Sequence, residues 1–279
     1  MQGIWQALRG KANVSTATQP SVASETAALP PVQMLWVGGP LSVLESLSLT
    51  SWLTTGHEVH LYTYGKPANE PKGLRIVDAR EILPAEADTQ NSAGGQRPTR
   101  FADRFCYALL QARGGIWADI DVVCLKPLDF ASGMDYFFAS ETLPPQAGDE
   151  GKLRIRASGC VMKAPAGSPI TKDCLDNARS STISADVAMT GPLLLHGAIE
   201  RFHMTTALLN PNLFCPVPFW NLGALISGLT VLPPECHGVH LWSESWRRNF
   251  FDRNASYDPL SLYERLKAHF LGRKETTHA

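Results

Sequence analysis

The 279-residue chain has no long run of Lys or Arg, and its formal net charge is only −1. Lacking a basic field, it is not expected to take nucleic acid or an anionic membrane surface as its main partner. No apolar stretch approaches the roughly eighteen residues of a membrane span, and the N-terminus lacks a continuous hydrophobic segment ahead of a cleavage site. Its six cysteines (Cys106, Cys124, Cys160, Cys174, Cys215, Cys236) include no Cys-x-x-Cys pair. At least Cys124 and Cys160 sit in strand-like apolar runs, so reduced, buried thiols in a cytoplasmic protein are the expectation. No internal repeat is found. A hydrophobic share of 44% supports a substantial core, enough for one catalytic domain.

What is present is organised around one stretch, Gly114 to Asp129, in which Asp119 and Asp121 interrupt a run otherwise apolar enough to be a buried strand. Ionised carboxylates are costly to bury without a cation or a hydrogen-bond network. No Arg or Lys stands beside this pair, so the partner must come from elsewhere. Two residues apart on an extended strand they point the same way, and a kink at the strand end splays them to grip two parts of one ligand. Oxygen ligands suit a hard cation such as Mg²⁺ or Mn²⁺, particularly one carrying phosphate.

Residues 1–30, poor in large apolar side chains after Leu8, read as a flexible tail with room for a short helix around Ile4 to Leu8; residues 31–279 read as the folded domain. Val32 to Val37 predicts a buried strand closed by Gly38-Gly39-Pro40. Ser42 to Thr55 predicts a helix opened by a Ser42/Glu45 capping box. Glu58 to Tyr64 and Leu74 to Val77 read as two further strands, and Pro84 to Pro98 as a long surface loop. Thr99 to Arg113 predicts a helix with Phe101, Phe105, Ala108, Leu109 and Ala112 on one stripe, and Asp103, Cys106, Tyr107 and Leu110 on a neighbouring face. Strands follow at Tyr136 to Ala139 and Ser158 to Pro165, separated by a polar loop from Glu141 to Arg156. Helices are expected from Ile170 to Ser180, from Thr190-Gly191-Pro192 to about His203, and from Tyr257 to Leu271. Phe214 to Trp220, interrupted by proline, cannot be a central strand. The expected fold class is α/β, a mixed sheet flanked by helices in a single domain.

Taken together, Leu35-Trp36-Val37-Gly38-Gly39, Phe101-Ala102-Asp103-x-x-x-Tyr107-x-Leu109-Leu110, Gly114-Gly115-Ile116-Trp117-x-Asp119-x-Asp121, Thr190-Gly191-Pro192 and His240-x-Trp242-x-x-x-Trp246 resemble the DXD sugar transferases. That family includes initiating mannosyltransferases and, more distantly, the glucosylating cytotoxins, and the motifs span about Val32 to Arg248 in its order. A lone Asp-x-Asp is weak evidence; an aspartate-bearing helix followed by Gly-Gly and Asp-x-Asp at this spacing is strong.

The resemblance implies a GT-A-like, Rossmann-type fold with the donor at the C-terminal ends of the strands. It implies a Mn²⁺- or Mg²⁺-dependent, retaining transfer of a hexose or N-acetylhexosamine from a nucleotide-sugar, a UDP-sugar, to a saccharide, glycolipid or other hydroxyl acceptor, as in polysaccharide or surface-glycan synthesis. Leu35 and Trp36 would flank the base, with Trp36 as plain core the competing account. Asp103 would bind sugar hydroxyls, Asp119 ribose or sugar, and Asp121 the metal. His240 would complete the metal's ligands, with His237 its rival, while Ser245 and Trp246 would close over the phosphates. Cys106 departs from the family, which has an Arg three residues after the helix aspartate, so Arg247 or Arg248 would have to reach the diphosphate. Two other readings stay open: a phosphohydrolase of the haloacid dehalogenase class, which shares the Asp-x-Asp, and a non-catalytic nucleotide-sugar-binding relative. Peripheral membrane attachment through the last helix would suit a lipid-linked acceptor.

Overall fold

The structure, a computed structural model, describes residues 29–85, 99–146, 152–180 and 190–272. Of the tail expected over residues 1–30, residues 1–28 with the short helix lie outside the described residues, as does nearly all of the Pro84 to Pro98 loop, while Leu29 and Pro30 are half-buried, with Pro30 O 2.9 Å from His57 Nδ1.

Val32–Trp36 (β1) is five consecutive buried residues, the pattern of a strand covered on both faces. Val59–Thr63 (β2) runs parallel to it, with Arg75–Asp78 (β3) parallel beyond that. Between β1 and β2 lies Val43–Thr54 (α1), whose N-cap Ser42 accepts from Leu44 N at 3.2 Å while Glu45 accepts from Ser42 N at 2.8 Å. α1 is buried almost all round through Leu44, Leu47, Leu49 and Trp52, each contributing roughly 1.5–3 kcal/mol of apolar burial.

Thr99–Arg113 (α2) then carries the chain back to Gly115–Ala118 (β4), which pairs parallel with β1 on its other edge. Gly114 makes that junction possible: its φ is +63°, and a β-carbon there would stand 2.4 Å from the backbone nitrogen of Ala166. Within α2 the burial is wider than one stripe. Residues Phe105 to Leu110 are all buried, whereas Ala112, expected on the apolar face, is exposed.

The acidic stretch is not one strand. β4 ends at Ala118, the chain turns through Asp119 and Asp121 with Val122 N donating to Asp119 O at 3.0 Å, and Val122–Cys124 (β5) leaves in a second, two-stranded sheet. Phe137–Thr142 (β6) and Ile155–Ala164 (β7) extend the main sheet antiparallel, so its order is β3-β2-β1-β4-β7-β6. Glu141 and Arg156 therefore belong to paired strands, and the polar loop expected between them is shorter. Pro169–Ser180 (α3) and Pro192–Arg201 (α4) pack with α2 on one face of the sheet. Gly223–Ile226 (α5), Ser243–Arg248 (α6) and Leu262–Phe270 (α7) join α1 on the other, and Gly238–His240 (β8) pairs antiparallel with β5. The result is a mixed α/β domain, as expected, with a core on each side of the sheet. The last helix turns Leu262, Tyr263 and Leu266 into that core, and no described helix is long and apolar enough to cross a membrane.

Strand order reverses between β1 and β4: the chain builds outward through β2 and β3, then returns to the opposite side of β1. Parallel strands diverging from such a point leave a crevice at their C-terminal ends, the usual ligand position in open α/β sheets.

Candidate active site

A cleft of about 230 Å³ opens at that crevice. Leu35, near the end of β1, and Asp119, directly after β4, both line it, as do Asp103, Asp121, Glu141, Cys160, His240, Trp242, Ser245, Arg247 and Arg253.

The turn at Asp119 is held from several sides. Asp119 N donates to Cys160 O on β7 at 2.7 Å, and Leu241 N donates to Asp121 O at 2.9 Å. Register in the small sheet sets Val122 opposite His240, which brings the imidazole beside Asp121. His240 Nε2 lies 3.3 Å from Asp121 Oδ1, and Ser243 N donates to Asp121 Oδ2 at 2.7 Å at the start of α6. Beneath this, α1 anchors β5: Ser48 Oγ and Trp52 Nε1 donate to Val122 O at 2.7 and 2.8 Å. The donor atoms of Asp119, Asp121 and His240 all lie within 4.8 Å of one another.

The two aspartates are electrostatically unequal. Burial raises the Asp119 carboxyl well above the carboxylate range, and the neighbouring Asp121 charge raises it further; the His240 charge and one hydrogen bond from Trp117 Nε1 at 3.0 Å do not offset this. Burial also acts on Asp121, yet His240 and the Ser243 N–H overcome it and hold that group ionised, well below its usual range. His240 is the converse: burial favours the neutral ring, but Asp121 and then Cys160 push it well above an ordinary histidine. Across the cleft, Asp103 projects from α2 and accepts from Thr190 Oγ1 at 3.0 Å, and burial pushes its carboxyl up to about 7. Gly191 lets that carboxylate approach, since a β-carbon there would stand 3.0 and 3.1 Å from its two oxygens. Glu141, also raised by burial, is ion-paired with Arg156.

Acidic groups outnumber basic ones in the cleft. Arg247 is 2.6 Å from Glu244, and Arg253 is 2.6 Å from fully buried Glu45. An anionic ligand would therefore meet a field of its own sign unless a cation came with it. Asp119, Asp121 and His240 offer the oxygen and nitrogen donors that a Mn²⁺ or Mg²⁺ ion accepts, and the raised Asp119 carboxyl marks a second carboxylate whose charge the one imidazole does not compensate, so the residues fit such an ion.

Of the residues singled out from the sequence, Leu35, Asp103, Asp119, Asp121, His240 and Ser245 share the cleft. Trp36 and Trp246 are not among its lining. Trp36 packs in the core against the Gly38 turn and donates through Nε1 to Gly39 O at 2.8 Å. Trp246 is fully buried, its ring centroid 4.8 Å from that of Tyr263. His237 lies apart, with Nδ1 3.2 Å from Pro127 O and its ring edge-on to Phe130. Cys106 is buried in α2 and does not reach the cleft lining.

Sequence reasoning gave no role to Trp242, Arg253 or Glu141. Trp242 lies with its centroid 3.8 Å from that of His240 and has φ +59°, a left-handed conformation rare for a bulky residue and one that turns β8 into α6. The short spacing His240-x-Trp242 was the available signal; for Arg253 and Glu141 there was none.

What the fold and cleft define is a mixed α/β protein with an acidic, histidine-bearing cleft at the point where strand order reverses. No protein-family model and no curated protein matches the chain. Among solved structures it is similar to PaToxG Glycosyltransferase, at 14% identity over 63% of this chain and 70% of that one, with a TM-score of 0.43. It is also similar to a transferase mutant, at 11% identity over 69% of this chain and 92% of that one, with a TM-score of 0.35. At TM-scores this low neither likeness bears on the chemistry of the cleft.

Proposed function

We propose that this protein is a metal-dependent glycosyltransferase that moves a hexosyl group from a nucleotide-sugar, a UDP-sugar, to a hydroxyl acceptor. The observation that carries the reading is the convergence of Asp119, Asp121 and His240 on one point of an acidic cleft at the switch point of the sheet. In this reading Asp121 and His240 hold Mn²⁺ or Mg²⁺, with Asp119 beside them on the same ion or on the ribose. The ion, when bound, supplies Lewis-acid stabilisation of the charge that develops on the departing diphosphate.

The chain's own groups divide the remaining work. Asp103, set by Thr190 and Gly191, accepts hydrogen bonds from sugar hydroxyls. Leu35 supplies an apolar wall, and Trp242 covers His240 and excludes water from its ring face. Arg247 is the guanidinium available to the phosphates, and it must first exchange its Glu244 partner.

The test is UDP release from a panel of UDP-sugars by the purified full chain with Mn²⁺ and no acceptor. Slow turnover is expected in the wild type, lost on chelation and reduced by at least about 10²-fold in Asp121→Asn. Phosphate-ester hydrolysis without nucleotide-sugar turnover would replace this reading with the phosphohydrolase. A second reading, a nucleotide-sugar-binding protein without turnover, is favoured by Cys106, which leaves α2 without the guanidinium that the resemblance calls for. Metal-dependent UDP binding with no turnover of any donor would establish it.

A further inference from the structure

Beside His240 the structure holds a second group of donors, two of them cysteines that the proposed reaction does not use. Cys160 from the middle of β7 and Cys215 from the loop after Pro211–Leu213 are both buried, with their sulfurs 3.7 Å apart. The ligand atoms of Cys160, Cys215 and His240 lie within 4.8 Å of one another. His240 N donates to Phe214 O at 2.8 Å, which ties β8 to the cysteine loop and fixes the three donors on separate, mutually braced segments. His240 also keeps an unsatisfied atom: Nδ1 is buried and has no hydrogen-bond partner among the described residues.

We infer that Cys160, Cys215 and His240 form a thiolate-rich site for a borderline or soft cation of the Zn²⁺ class, sharing His240 with the acidic group. Two sulfurs bound at about 2.3 Å to a tetrahedral Zn²⁺ stand about 3.8 Å apart, close to the separation observed, whereas the sulfurs of a disulfide stand about 2.0 Å apart. Charge supports the assignment. Binding releases to solvent the proton of the His240 imidazolium and that of each cysteine still protonated, and Zn²⁺ with two thiolates and a neutral imidazole carries no net charge, which suits a buried position. A hard cation would prefer the carboxylate oxygens of Asp119 and Asp121. Entry is available because Cys160 and His240 both line the cleft. A neutral imidazole has a single ring lone pair, so with Zn²⁺ on the sulfur group the other His240 nitrogen carries the proton and cannot ligate the hard ion, whose binding is thereby opposed.

The site itself stands without the glycosyltransferase reading; only its competition with the hard ion rests on it. Reduced wild-type protein given one equivalent of Co²⁺ should show thiolate-to-cobalt charge-transfer absorption in the near ultraviolet, together with tetrahedral visible bands, and Zn²⁺ should remove both. The charge-transfer band should fall by about half in Cys215→Ser, vanish in the Cys160→Ser/Cys215→Ser pair and persist in Asp121→Asn. Zinc X-ray absorption on the wild type, which needs no variant to fold, should give sulfur at about 2.3 Å and nitrogen at about 2.0 Å. A shell of nitrogen and oxygen alone, no charge-transfer band, or a band that survives the double variant would overturn the site. Where UDP-sugar turnover is measurable, Zn²⁺ should inhibit it at least about tenfold more tightly in wild type than in Cys215→Ser, and equal inhibition would overturn the competition.

Discussion

Asp103 is the residue at which pH should act most visibly. Its carboxyl is raised from 3.8 to about 7 by burial, so the folded protein holds that proton more tightly than the unfolded chain does. The stability this confers is complete below about pH 4 and is lost as pH rises through about 7. The margin by which Asp103→Asn melts above wild type should therefore grow as pH rises from about 4 and level off above about 7, by scanning calorimetry. Donor binding should show the opposite slope, strengthening in the wild type as pH rises through about 7 and remaining weak and flat in Asp103→Asn. Asp119 invites a second residue-scale test. Buried beside ionised Asp121, it is a strained group in the metal-free protein. Asp119→Asn should raise the metal-free Tm by about 2–4 °C, the shift of roughly 1 kcal/mol in a chain of this size, while abolishing Mn²⁺-dependent turnover. A lower Tm would show that Trp117 and the surrounding dipoles already compensate that carboxyl.

At the scale of elements, two joints position the site. The first is the α2–β4 junction, where Gly114 adopts a positive φ hard against the backbone of Ala166. Gly114→Ala should cost more than about 2 kcal/mol in urea unfolding, because the substitution combines left-handed strain with a backbone clash that no rotamer relieves. The second joint is the turn that separates β4 from β5. In sequence, Gly114 to Asp129 reads as one apolar run carrying two aspartates. Folded, it is two short strands in different sheets, since β5 finds its partner in β8 and its anchor in Ser48 and Trp52. Pattern alone did not show the break, because both halves are buried and neither alternates.

On the scale of the whole molecule, the C-terminal segment closes over the beginning of the domain. Arg253 pairs with Glu45, which is completely buried in α1 and also accepts from the Ser42 backbone. Removing one member of a buried pair leaves an uncompensated charge, so Arg253→Met should cost about 3–5 kcal/mol. The Glu45→Gln/Arg253→Met double variant should lose less than the sum of the two single changes, measured from urea midpoints. Additive losses would mean that the pair contributes through packing alone.

Local pattern carried the strand, turn and helix opening, the capping box at Ser42, the helix bearing Asp103 and the mixed α/β class, because each depends on the periodicity or caps of a contiguous stretch. Asp119 and Asp121 were legible as candidates because unpaired acids in an apolar run stand out along the chain, whereas Asp103 and His240 were singled out only through the resemblance of their motifs. Tertiary structure alone decided which aromatics face the cleft, sending Trp36 and Trp246 into the core and turning Trp242 onto His240. It alone brought Cys160, Cys215 and His240 together from β7, a loop and β8. Such contacts depend on strand register and on where sheets exchange strands, and those are set by packing between segments far apart in sequence, which no local pattern encodes.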